Sequence, residues 1–339
     1  MDKDLKLDLE AKAFSTNNAL YFARLSEIAY KSKDEAKAIL QGDGDTKHGM
    51  GFDHFHWFEP DPAVSSAAIL DAVQDTEAYL VANDDVIIVV FRGTLESADW
   101  ATNLKIVTRD APVAWGLSIN CNVHEGFDDG VNTVWVGYGM RDMIKLLYSE
   151  KGKKRKLFIT GHSLGAALAT VTAAHLAFEQ NINITAIYTY GSPKVFNGPL
   201  AEEFDVKINH GIPLKDKCFR CRNNNDIVPR IPPYPYNHVG TEIYIDRFGN
   251  IGAISLVDRL LGRLTAYLRG DFGEDVNDHS TAEYIRLFKT MVNNAKKPFV
   301  LKAGELAVET AQQLLEIPTI KNSKATFLPC PGAPELAIP

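Results

Sequence analysis

The segment KLFITGHSLGAALATV, residues 156–171, constrains the fold more than any other stretch of this chain. Its first part, Leu157-Phe158-Ile159, is a run of β-formers that ends at Gly161. An alanine-rich helical run begins at Leu164. Between them stands one hydroxyl, Ser163, with Gly161 two places before it and Gly165 two places after. A strand that turns this sharply into a helix forces its turn residue into a strained conformation and lifts that side chain clear of the sheet. The flanking residues then pass so close that a Cβ would clash, hence glycine at both. The helix starts with its positive end under the hydroxyl, where negative charge would develop. The pentapeptide Gly161–Gly165 therefore reads as a nucleophile elbow, with Ser163 as the nucleophile.

The rest of the chain supplies the scaffold such an elbow needs. Helical spacing runs through 17–32, and 76–93 reads as two strands joined by a tight Asn-Asp-Asp turn. The stretch 123–150 becomes helical from about Asp128. Further strands are expected at 156–160, 184–190, 217–222 and 241–247, and helices at 164–179, 253–269 and 280–295. Strands alternating with helices predict one α/β domain with a mostly parallel central sheet, and the elbow set on such a sheet points to an α/β-hydrolase fold. Its core spans about 14–295, and 296–339 is an extension without an assigned role. The formal net charge of −7 speaks against a nucleic-acid partner. Apolar runs such as VIIVVF at 86–91 are too short to cross a membrane. The charged N-terminus MDKDLKLDLEAKAF has no apolar core, so no signal peptide is read there. The Cys218/Cys221 pair has no further ligands at metal spacing, and His54 and His56 make only two, so no metal or cofactor is expected.

A serine hydroxyl needs a base and an orienting carboxylate. On this fold they follow the serine in the order acid, then histidine. That order leaves His238 and His279 out of nine histidines. Asp226 follows a strand and three asparagines able to brace a tight loop, and is the choice for the acid. His279 lies after the last strand and is preferred as base, with His238 as the alternative. The oxyanion donors expected are the backbone N–H of Leu164 and the loop FRGT, where Gly93 allows close approach and Thr94 offers its N–H and hydroxyl.

Together FRGT, DW…NL, VHEGF, GHSLGAALA, YTYGSP and NNDIVPRIPP resemble the class 3 lipases, typified by filamentous-fungal triacylglycerol lipases, from about residue 14 to 290. The resemblance puts the family's triad on Ser163, Asp226 and His279, its oxyanion residue on Thr94, and its lid on roughly 95–108, beginning at Leu95. If 98–107 is helical, Trp100, Leu104 and Val107 share an apolar face able to cover a greasy groove. That favours lipid esters met at a lipid–water interface. Phospholipase A1 and short-chain or feruloyl-type esterases are rivals of the same chemistry. A non-catalytic binding protein on the same fold is the rival of another class. The additional amphipathic stretch 253–269 is expected to pack on the sheet or cap the pocket, and KGKKRK at 151–156 to be a solvated loop.

Overall fold

Strand β3, Val86–Phe91, is a continuous apolar run because both faces of the sheet it belongs to are covered. Ile87, Val89 and Phe91 face one hydrophobic cluster, and Val86, Ile88 and Val90 face the other. The computed structural model describes residues 5–42, 49–59, 77–94, 107–118, 120–246, 249–252 and 278–295. All of them belong to one unit that ends at Ala295.

The central sheet follows chain order from β1 to β7. Its strands are β1 (His54–Phe58), β2 (Ala78–Ala82), β3, β4 (Lys156–His162), β5 (Ile184–Tyr190), β6 (Cys218–Asn223) and β7 (Thr241–Ile245). β1, β2 and β3 pair antiparallel, and β3 through β7 pair parallel throughout. Besides the single turn Leu214–Lys217, the helices among the described residues are α1 (Thr16–Ile28), α2 (Lys33–Gln41), α3 (Glu125–Asn132), α4 (Met140–Tyr148), α5 (Leu164–Ala174), α6 (Gly198–Val206) and α7 (Thr281–Ala295). Residues of α3, α4 and α5 fill the cluster on one face, and residues of α1, α2 and α7 fill the other. A second, four-stranded antiparallel sheet joins the short segments Tyr236–Asn237, Phe196–Asn197, Asn122–His124 and Thr108–Asp110.

Three expectations need adjustment. The first helix ends at Ile28, and a separate α2 follows under a Ser32/Glu35 capping box. The helical stretch after Val123 begins at Glu125 and breaks at a π turn, Thr133–Gly137, before α4. Arg155, expected in a solvated loop, is buried and bonds the Leu147 carbonyl at 2.8 Å and Glu150 at 2.5 Å. The stretches 253–269 and 296–339 lie outside the described residues. Among the described residues no helix is long and apolar enough to cross a membrane.

Parallel pairing from β3 to β7 sends the carboxyl ends of five strands to one edge. Thr94 follows β3, Ser163 follows β4, Gly191 follows β5 and Asp226 follows β6. In α/β sheets this edge is where ligands bind.

Candidate active site

Ser163 sits between β4 and α5 at φ 59° and ψ −127°, a strained conformation for a residue with a side chain. The turn tolerates no Cβ on either side. A methyl at Gly161 would enter the Gly165 backbone, and one at Gly165 would enter the Phe91 carbonyl of β3. The close approach inferred from the two glycines is thus present. The Ser163 hydroxyl accepts no capping bond from the N–H groups of its helix, so it is left for other work.

The Ser163 Oγ lies 2.8 Å from His279 Nε2, and His279 Nδ1 lies 2.8 Å from Asp226 Oδ1. All three side chains are buried. Asp226 can only accept, so His279 Nδ1 carries the proton and donates it; Nε2 then accepts from the serine hydroxyl. Asp226 is fully satisfied. Its Oδ1 also takes the Val228 N–H at 3.0 Å, and its Oδ2 takes the Tyr284 hydroxyl at 2.7 Å. Burial beside this carboxylate drives the Tyr284 phenol well above its ordinary range, so it remains a donor.

Three features of the site have no counterpart in the sequence reading. Asp278 ties the turn that carries His279 to the turn that carries Asp226. Its carboxylate accepts from Asn224 Nδ2 and from the Asn225 N–H, both at 3.1 Å, and its carbonyl accepts from Asn223 Nδ2 at 3.0 Å. The asparagines therefore brace a neighbouring turn as well as their own. Gly191, at φ 57°, is the second feature: a Cβ there would stand 2.7 Å from both Asp226 Oδ2 and His279 Nδ1. The tyrosine Tyr284 was missed because its α7 position reads as ordinary core spacing.

His238, the alternative base, points elsewhere. Its Nε2 bonds the Pro229 carbonyl at 2.6 Å, and burial holds it well below the usual imidazole range. At the other side of the elbow, the Leu164 N–H opens α5, where a helix has no partner of its own to offer. Thr94 follows β3, and its buried Oγ1 has no hydrogen-bond partner among the described residues. Of the expected lid residues, Leu95, Trp100 and Leu104 lie outside the described residues. Val107 is described and is 42% exposed. The three described cysteines outside the extension, Cys121, Cys218 and Cys221, are buried thiols.

The family model for class 3 lipases matches residues 88–236, which takes in most of β3, the elbow and Asp226. The chain is 31% identical over 198 residues to secreted mono- and diacylglycerol lipase 1 of Fusarium solani, covering 55% of this chain and 54% of that protein. It is 30% identical over 190 residues to phospholipase A1-II 1 of Oryza sativa subsp. indica, covering 52% and 47%. The chain thus spans about half the length of the curated relatives it matches. A solved triacylglycerol lipase, described as having a serine protease triad as its catalytic centre, superimposes with a TM-score of 0.50 at 25% identity, covering 73% of this chain and 95% of that one.

Proposed function

We propose that this chain, whose residues 88–236 match the class 3 lipase family model, hydrolyses carboxylic esters of lipids, with Ser163 as nucleophile, His279 as general base and acid, and Asp226 as the group that orients the imidazole. The observation that carries this reading is the unbroken file from Ser163 Oγ through the His279 ring to Asp226, at 2.8 Å for each bond.

The steps follow from the proton positions. Ser163 Oγ attacks the ester carbonyl carbon as its proton passes to His279 Nε2. The carbonyl oxygen becomes an oxyanion that accepts from the Leu164 and Thr94 N–H groups and from the Thr94 hydroxyl. The C–O bond to the alcohol breaks, and His279 gives its proton to the departing oxygen. A water then attacks the acyl-serine as its proton passes to His279; the bond from Ser163 Oγ to the acyl carbon breaks, His279 returns that proton to Ser163 Oγ, and the carboxylic acid leaves. Asp226 keeps the ring in one tautomer throughout and stabilises its transient charge.

Exposed apolar side chains on the segment that follows the acid support a lipid as the source of the ester. Ile227, next in the chain to Asp226, is 42% exposed, and Tyr234 in the following loop is 92% exposed. Val107 is bound to that loop through its carbonyl, which takes the Tyr236 hydroxyl at 2.8 Å. Large apolar side chains left in water on and around the segment that follows the acid favour a greasy substrate. Triacylglycerol at a lipid–water interface is the preferred substrate class. The likeness to a phospholipase A1 favours phospholipid as the second reading. Initial rates on emulsified triolein, phosphatidylcholine vesicles and a soluble butyrate ester separate them. The preferred reading expects triolein to be fastest, with a rate jump as it passes its solubility limit. Faster release from phosphatidylcholine would establish the second reading, and activity confined to butyrate would exclude both.

A further inference from the structure

The residue before the nucleophile, His162, is the last of β4 and is buried. Its Nε2 lies 2.5 Å from the main-chain carbonyl oxygen of His279. A carbonyl oxygen only accepts, so His162 Nε2 must carry the ring proton. Nδ1 then offers a lone pair, and the Tyr30 hydroxyl stands 2.8 Å away to donate to it. Both ring nitrogens are thus satisfied with the ring neutral.

We propose that Tyr30 and His162 are positioning residues: together they hold the main chain at His279, so that the elbow presenting Ser163 also fixes where the imidazole stands. The inference rests on the ester-hydrolase reading above. Ser163 and His162 are adjacent on one strained turn. One points its hydroxyl at the His279 ring, and the other bonds the backbone from which that ring hangs. The distance that matters for proton transfer is therefore set within a single rigid element, and an error of about 1 Å in such a distance costs on the order of a hundredfold in rate. Tyr30 extends the brace. It comes from the turn after α1, and its hydroxyl packs against Gly93, where an added Cβ would collide with it. Gly93 immediately precedes Thr94. One continuous chain of contacts thus joins the oxyanion loop, the elbow and the base.

Neutrality is what makes the brace constant. Around the His162 ring stand the rings of His279 at 4.6 Å and Tyr284 at 6.1 Å, with Tyr30 on its other side. Asp226 lies behind His279, and Arg92 lies near Tyr30. Burial, and then the neighbouring His279, hold His162 well below the ordinary imidazole range. A second proton would also remove the acceptor that Tyr30 uses.

The test combines kinetics with a readout that needs no turnover. On a soluble butyrate ester, His162→Phe is expected to lower kcat about 10- to 100-fold while KM stays within about twofold. His162→Gln restores a donor near the place of Nε2 and is expected to recover about tenfold of that loss. Tyr30→Phe keeps the ring and folds with the least disturbance; it should lower kcat about 3- to 10-fold. In protein carrying ¹⁵N-histidine, one ring should stay neutral with its proton on Nε2 from pH 5 to 8, and its signal should vanish in His162→Gln. A His162→Phe or Tyr30→Phe enzyme with unchanged kcat, a Gln variant no better than Phe, or a His162 ring that titrates above about pH 6 would each overturn the proposal. A wild-type enzyme that opens no ester, with the ring signal as described, would instead overturn the hydrolase reading.

Discussion

At Asp226 the two carboxylate oxygens have separate duties: Oδ1 receives the His279 ring and the Val228 N–H, and Oδ2 receives Tyr284. Asp226→Asn keeps the volume but turns one acceptor into a donor. Either His279 must present the wrong tautomer, or Tyr284 loses its acceptor. The expected result is a loss in kcat of about 10³- to 10⁴-fold with the fold retained, checked by steady-state kinetics beside a thermal melt. A loss below about tenfold would contradict the role given to Asp226. The three side chains that meet could be picked out of the sequence because each terminates a recognisable stretch. Ser163 is framed by two glycines, Asp226 follows a strand and three asparagines, and His279 follows the last strand. Their supports were not legible. His162 bonds a carbonyl 117 positions away, and Tyr284 bonds a carboxylate 58 positions away. Nothing in the local pattern of either residue encodes such a partner.

At the level of elements, the glycine after β5 shows how tightly the strand-end loops are packed. Gly191→Ala would place a methyl between Asp226 and His279 at a backbone conformation that costs a side chain about 1–2 kcal/mol. The expected outcome is a fall in kcat of at least about a hundredfold, larger than the accompanying loss of stability explains, measured by kinetics and urea unfolding on the same preparation. Equal kcat in the variant would show that the loop has room the structure does not give it. The central strands were legible because they are apolar runs of five to seven residues buried on both faces. The second sheet was not, since two of its strands have two residues each and exist only through their neighbours. The π turn inside 133–137 is likewise a packing adjustment without a sequence signature. Helix α2 went unread in the sequence, although Ser32 and Glu35 have the spacing of a capping box.

Across the whole molecule, three histidines shielded from water, two of them buried and His238 half-buried, make stability depend on pH. Burial lowers His162, His175 and His238 below the ordinary imidazole range. The unfolded chain therefore binds protons there that the folded chain refuses. Stability is present above the unfolded value, near pH 6.5, and is lost as pH falls below it, by up to about 1.4 kcal/mol per pH unit for each histidine. Asp128 and Asp205, which burial raises, work in the opposite sense but only nearer the carboxylate range. The melting temperature should fall between pH 7.5 and pH 5, and fall less steeply in His238→Gln. A flat or rising profile would contradict the neutral assignment of these rings. The packing on both faces of one sheet is what makes such burial available, and it is the same packing that brings the strand ends into register above the elbow. Whether that convergence creates a nucleophile is tested most directly by mass spectrometry after exposure to a fluorophosphonate. The account predicts one adduct on the wild-type chain, located on Ser163, and none on His279→Ala under the same conditions. An unlabelled wild type, an adduct on another serine, or undiminished labelling of His279→Ala would contradict it.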